Sequence, residues 1–296
     1  MWFGRKRGGH ATESAAESAA GGLEPLLREI VRITGDPQVD TRLARQRHEA
    51  RSGDIDAMLR LGASLVEQGR VQDAAQQFRQ AADLGSPSGM YNLAVALGKL
   101  GNEDEAVRWQ QRAAERGYAA AMVQEGFRAL EERRKADAER WMRDAAEQGE
   151  VVGMMATGML LRERGHLQEA EQWLRRAADG GEPTAMYSLA HLVQDAGREE
   201  EAEQWYRRAA DLGDPQAMNN LGNILRRTDR GAEAEQFFRR SAQAGEPMGM
   251  LNLGEMLERS RPQEAVQWYE RAAAGGAARA GEHLRRLRSG GRGPSA

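Results

Sequence analysis

Apolar and small residues return along this chain at a fixed interval. Met58, Met90, Met122, Met154, Met186, Met218 and Met250 stand 32 residues apart. Let the glycines Gly53, Gly85, Gly117, Gly149, Gly181, Gly213 and Gly245 each be place 0 of a unit. Met then holds place 5, Gly or Ala place 9, and usually Leu or Val place 12. Ala follows at place 21, an aromatic near place 24, and Ala-Ala or Ser-Ala at places 28 and 29. The seventh unit is one residue short in its internal loop, so Trp268 and Ala272 arrive one place early. A constant period of this length marks stacked repeats.

Each unit predicts two helices. Places 4, 5, 8, 9 and 12 share one face at about 100° per residue, and places 21, 24 or 25, 28 and 29 share another. Gly at place 0 suits the left-handed residue that closes a helix. Asp214-Pro215 and Ser86-Pro87 supply an N-cap followed by proline at the first helical position. Gly69, Gly101, Gly165 and Gly197 mark the turn inside a unit. One pair this small cannot bury its own stripe, so neighbours must stack. The expected organisation is a disordered tail over 1–22, a degenerate N-terminal helical cap over 23–52 and seven units over 53–275. A capping helix over 276–288 and a second tail over 289–296 complete it. Leu23, Leu26, Leu27, Ile30, Val31 and Ile33 give the N-terminal cap its apolar stripe.

Composition agrees with helix, since Ala, Glu, Arg, Gln and Leu dominate. Net charge is −3 overall. Residues 53–275 hold 28 basic and 37 acidic side chains, whereas residues 276–296 hold five Arg and one Glu. With no cysteine, the chain has no disulfide, thiolate metal site or cysteine nucleophile. The N-terminus MWFGRKRGGHATESAAESAAGG has no apolar run behind its basic residues, so it does not read as a secretory signal. No stretch nears the ~20 apolar residues of a membrane span, and a cytoplasmic location is expected.

The blocks AMYSLA (185–190), GMYNLA (89–94), AMNNLG (217–222) and GMLNLG (249–254) are each followed by a version of E-A-x-x-W-Y-x-R-A-A-x-x-G, complete from Glu201 to Gly213. In these the chain resembles Sel-one-like repeats of the tetratricopeptide superfamily, over roughly residues 53–287. The loop between the two helices of a unit is four residues shorter than the usual Sel-one-like form and nearer the tetratricopeptide one. The expected fold is all-α: a right-handed α-solenoid of antiparallel helix pairs. The resemblance implies a non-catalytic scaffold or adaptor that binds a protein or peptide partner, with places 3, 6, 10 and 13 of each first helix lining a concave groove.

Those places vary from unit to unit, as specificity positions would. Units three and four offer Val123, Phe127, Met155 and Met159; units five and six offer Tyr187, His191, Asn219 and Asn223. The first group is apolar and adaptable. The second is rich in amides that can donate to and accept from a peptide backbone. Met90, Met122, Met154, Met186, Met218, Trp109, Trp141, Trp173, Trp205 and Trp268 recur with the lattice and read as packing, although aromatics can stack on nucleobases. Glu139/Arg143, Glu171/Arg175, Glu203/Arg207 and Glu235/Arg239 are i,i+4 pairs on a solvated face. Place 8 is Leu in five units but Glu125 and Thr157 in the other two, and a buried carboxylate there needs a partner such as an Arg. The five histidines stand far apart without metal-ligand spacing, and no nucleotide loop or nucleophile elbow is present. No catalysis, cofactor or metal is expected. The alternative function is nucleic-acid binding through the Arg-rich C-terminal segment, against which the acidic array argues.

Overall fold

The computed structural model describes Ala50 and residues 53–290. The expected N-terminal tail and, Ala50 apart, nearly all of the expected N-terminal cap lie outside the described residues, as do residues 291–296. Fifteen α-helices and no strand occur among the described residues. The first and second helices of units one to three are α1 (Ile55–Glu67) and α2 (Val71–Asp83), α3 (Pro87–Lys99) and α4 (Glu103–Glu115), and α5 (Ala119–Glu131) and α6 (Lys135–Glu147). Units four and five follow with α7 (Val151–Glu163), α8 (Leu167–Asp179), α9 (Pro183–Asp195) and α10 (Glu199–Asp211). Then come α11 (Pro215–Arg227), α12 (Gly231–Gln243), α13 (Pro247–Leu257), α14 (Pro262–Ala274) and α15 (Ala278–Gly290). The last helix runs two residues into the stretch expected as a tail. The fold is an α-solenoid of consecutive helix pairs, and the described residues fall into two compact units divided between Ala121 and Met122.

Local chemistry sets each helix boundary. After α10 the chain passes through Gly213 at φ +95°. The Gly213 and Asp214 amides donate back to the carbonyls of Ala210 (3.1 Å) and Ala209 (3.0 Å). The Asp214 carboxylate then accepts from the Ala217 amide at 2.7 Å, with Pro215 in the first turn of α11. Ser86 caps α3 the same way, accepting from the Gly89 amide at 3.1 Å. The turn inside each of units one to six also uses a left-handed residue. Units three and six place Arg133 (φ 60°) and Asp229 (φ 57°) there instead of glycine.

Two small-on-large contacts fix the packing. Within a unit, place 9 faces place 25. A Cβ at Gly222 would sit 2.6 Å from the Phe238 ring, one at Gly254 2.6 Å from Tyr269, and one at Gly158 2.7 Å from Leu174. Place 25 thus carries the deepest side chains, with Tyr206, Phe238, Tyr269, Met142 and Leu174 all fully buried. Between units, place 4 rests on places 28 and 29 of the unit before. Gly153 lies against Ala145 and the Ala146 backbone nitrogen, and in the first compact unit Gly89 lies likewise on Ala81 and Ala82. In the second compact unit one continuous apolar cluster results, from Ala146 to Leu284.

The expected i,i+4 ion pairs are present, and each also reaches a neighbouring repeat. Arg175 bridges Glu171 (2.6 Å) and Glu201 (2.8 Å); Arg207 bridges Glu203 (3.0 Å) and Glu233 (2.8 Å); Arg239 bridges Glu235 (3.2 Å) and Glu264 (2.7 Å). Arg230 at the start of α12 returns to Glu203 at 2.7 Å. Hydrogen bonds from Arg198 hold the Glu171 carboxyl below its usual range, and those from Arg207 do the same for Glu233.

Two outcomes follow from these features. Replacing Arg133 by Gly relieves a left-handed backbone that costs a side chain ~1–2 kcal/mol; Arg133→Gly raises the thermal midpoint, and a lowered midpoint counts against the assignment. The depressed carboxylates contribute stability above the unfolded value of about 4.3, and it disappears as pH falls through their lower folded values. The midpoint therefore drops on acidification below about pH 4.3, and Glu171→Gln together with Glu233→Gln flattens that drop.

Candidate functional site

The variable places of the first helices are read here within the second compact unit. They do not behave alike. At place 6, Val123 is 5% exposed and Asn219 8%, while Met155 and Tyr187 are half-buried against the apolar cluster. Val123 and Asn219 were expected to face a groove, and the structure corrects this. Place 6 is only one residue, about 100°, beyond the core methionine at place 5. It falls where successive first helices meet. Asn219 accepts from the Asn252 side chain at 2.8 Å, a buried bond between units six and seven.

Place 10 is open. Phe127 on α5 and Met159 on α7 are each 42% exposed, and His191 and Asn223 are half-buried. Between α9 and α11 lies a depression of about 350 Å³ lined by His191, Gln194, Asn220, Asn223, Arg226 and Arg227. Its floor is a hydrogen-bonded chain. The Asn220 amide donates to the Tyr206 hydroxyl (3.3 Å), which donates to the Gln194 carbonyl oxygen (3.1 Å). Arg226 holds the Asn223 side-chain oxygen at 3.2 Å. His191 Nδ1 stands 2.9 Å from the Asp195 carboxylate, and its ring meets Tyr187 edge-on at 6.5 Å. Burial pushes the Tyr206 hydroxyl up to about 12 and the Tyr187 hydroxyl upward too, so both stay protonated donors at neutral pH.

Asn220 and Tyr206 escaped the sequence reading. Asn220 shares place 7 with Asn92 and Asn252, and it donates to a tyrosine side chain. The signal available was Tyr206 at place 25, a polar-tipped aromatic in a position otherwise held mostly by apolar residues. Buried tyrosines keep their hydroxyl paired, which calls for a nearby amide.

The other singled-out residues have structural roles. The seven place-5 methionines are all buried. Trp109, Trp173, Trp205 and Trp268 are at most 9% exposed, whereas Trp141 is half-buried. Guanidiniums cover several of these rings, Arg208 lying 4.3 Å from the centre of Trp205 and Arg271 4.4 Å from that of Trp268. Glu125 is buried with Arg128 at 3.1 Å as its cation. Thr157 is fully buried and its hydroxyl oxygen has no hydrogen-bond partner among the described residues. No metal-holding group of His, Cys, Asp or Glu occurs among the described residues, and no helix there is long and apolar enough to cross a membrane.

Family comparison fits this geometry. Residues 59–121 and 156–215 match one tetratricopeptide-repeat model, residues 216–246 a second, and residues 247–276 a Sel1-repeat model. The chain belongs to the tetratricopeptide and Sel1-like repeat proteins. No curated protein matches the chain significantly. Among solved structures, a Sel1 repeat protein from Oxalobacter formigenes superposes with a TM-score of 0.64 at 24% identity, over 92% of this chain and 88% of that one. A protective antigen of uropathogenic Escherichia coli strains displaying an SLR fold gives 0.65 at 23%, over 83% and 67% respectively. A chain of the APC/C hetero-tetramer Cut9–Hcn1 gives 0.51 at 12%, over 80% and 52%. Tetratricopeptide and Sel1 repeats are generally non-enzymatic scaffolds for protein–protein contact.

In this repeat protein the depression depends on the Tyr206 hydroxyl. Tyr206→Phe removes one donor and one acceptor and leaves Gln194 and Asn220 to solvent. The expected cost in chemical unfolding is about 0.5–1.5 kcal/mol. No change at all would show that the amides are not held by this hydroxyl.

Proposed function

We propose that this chain is a non-catalytic interaction scaffold that takes an extended peptide segment of a protein partner on its first-helix face. The observation that carries the reading is one helical place with two characters. Place 10 presents Phe127 and Met159 on α5 and α7, then His191 and Asn223 beside the amide-lined depression on α9 and α11. Exposed apolar surface rimmed by polar groups marks contact sites, and Phe127 and Met159 are each 42% exposed at the same place of successive first helices. An apolar side chain of the partner seats against Phe127 and Met159. The backbone that follows exchanges hydrogen bonds with Gln194, Asn220 and Asn223, whose amides both donate and accept.

Several features favour a protein over a nucleic acid. The array is acidic in balance. Arg279, Arg286 and Arg288 of the C-terminal segment are engaged by Glu255, Glu258 and Glu270. The guanidiniums over the tryptophans cover faces that a base would need. The depression gathers amides, guanidiniums and an imidazole, a set suited to holding a chain in place.

Selection of a random phage-displayed peptide library on the purified protein tests this. The expected winners share an apolar residue and bind Phe127→Ala and Met159→Ala at least about tenfold more weakly. The melting curves of both variants stay unchanged, because the two side chains are largely outside the core. Failure to enrich any sequence, or equal binding by both variants, removes the reading.

A further inference from the structure

The depression between α9 and α11 lies at the end of a hydrogen-bonded chain that runs in one direction. Asn252 on α13 donates to the Asn219 side-chain oxygen at 2.8 Å, and Asn219 donates to the Asn220 oxygen at 3.2 Å. Asn220 donates to the Tyr206 hydroxyl at 3.3 Å, and that hydroxyl donates to the Gln194 oxygen at 3.1 Å. Each group gives a proton to the next, so the chain ends on the amide nitrogen of Gln194. That nitrogen has no acceptor among the described residues. Hydrogen bonds aligned in this way polarise one another, which strengthens the last donor.

Asn223 is oriented in the same sense. A guanidinium can only donate, so the 3.2 Å contact from Arg226 takes the Asn223 oxygen. The Asn223 amide nitrogen is then left without an acceptor among the described residues. Arg226 also reaches Glu255 at 3.4 Å, and Arg227 reaches Glu199 at 2.8 Å. A guanidinium has five N–H groups, so both arginines keep some to spare. Each side-chain carbonyl oxygen in the depression thus already accepts a hydrogen bond, while N–H groups from two helices remain over. No carboxylate lines the depression. The acids around it are each held by a cation or an imidazole: Glu255 by Arg226, Glu199 by Arg227, and Asp195 by His191 at 2.9 Å.

Surplus donors and two guanidiniums call for a ligand that brings acceptors and negative charge. A carboxylate brings two oxygens, which Glu199 and Glu255 already offer these arginines. A phosphate monoester brings three, with a charge of about −1.5 to −2 at pH 7, and arginine grips it bidentately. We propose that the segment taken on this face is phosphorylated, and that a phosphoserine or phosphothreonine of the partner seats on Gln194, Asn223, Arg226 and Arg227. This rests on the reading of the first-helix face as a peptide site. The phosphate draws Arg227 away from Glu199 at small cost, because both side chains are more than half exposed and such pairs contribute little. Gln194 and Asn223 complete the seat without moving, since their oxygens are already pinned inside the protein.

Two synthetic libraries on the full chain test the proposal: random peptides carrying one fixed phosphoserine, and the same peptides with serine. The phosphorylated winners are expected to bind at least about tenfold more tightly than their serine forms. Arg227→Gln, an exposed position, abolishes that ratio, whereas Glu199→Gln frees Arg227 and widens it. Phe127→Ala weakens both forms together and leaves the ratio as it was. Equal binding by the two forms overturns the phosphate assignment and leaves the peptide reading standing. A ratio that survives both Arg227→Gln and Arg226→Gln overturns it too. Two further arms, at fixed ionic strength, separate the sources of charge. Winners with glutamate in place of phosphoserine are expected to bind like the serine forms; binding equal to the phosphorylated forms marks a carboxylate site and ends the proposal. Inorganic phosphate is expected to compete only weakly, and affinity equal to that of the winners marks a free-anion site and also ends it. Retention of neither library removes this proposal and the peptide reading together.

Discussion

Close approach of small residues governs this fold. Place 4 carries Gly or Ala in every unit, and at Gly89, Gly153 and Gly249 it lies so close on the Ala-Ala or Ser-Ala step of the second helix before it that even a Cβ crowds its neighbours. Place 9 is kept small by the bulk at place 25. These two contacts bring the helices near enough for the methionines, tryptophans and place-25 side chains to interdigitate at protein density. They also explain why a chain this rich in charge still has a continuous core through its second compact unit. Each helix spends one narrow stripe on its neighbours and leaves the rest to water.

The charged face is tied to the same geometry. Because consecutive second helices lie side by side at a constant offset, an arginine at place 26 meets an acid at place 20 of the next unit again and again. Single exposed pairs of this kind contribute little. Here each arginine is shared between its own helix and the adjoining one, so the pairs form a row that follows the stack. The first-helix side lacks such pairing over much of its length. It presents aromatic, sulfur-bearing and amide side chains that differ between units, which is the division expected of a lattice that carries a variable surface.

The fold was almost fully legible in the sequence, since period, caps and turn glycines all point one way. The Asp214-Pro215 start, the Gly213 stop and the lattice methionines stand as the pattern requires. The surface was legible only in part. Phe127, Met159, His191 and Asn223 are accessible, as their spacing indicates, but Val123 and Asn219 are buried. A helical wheel treats each helix as having one buried side, whereas in a stack a first helix touches its own partner and the first helices of adjacent units. Place 6 falls on that additional contact. The Tyr206 network was hidden for a related reason: it joins second helix to first helix across a repeat boundary, and periodicity within one unit does not show such pairs. Glu125 was foreseen to need a cation and has Arg128. The buried Thr157 hydroxyl has no counterpart in the sequence pattern.

The uniform joint has a consequence for how such a chain can change length. Every repeat ends on the same left-handed residue and offers its successor the same pair of small side chains. Excising 32 residues within the six full-length repeats rejoins surfaces of the same register, while excising half as many sets a first helix where a second belongs. The molecule is therefore extensible in whole modules only. Its reach can be altered through recombination between repeats without any new packing solution having to be found.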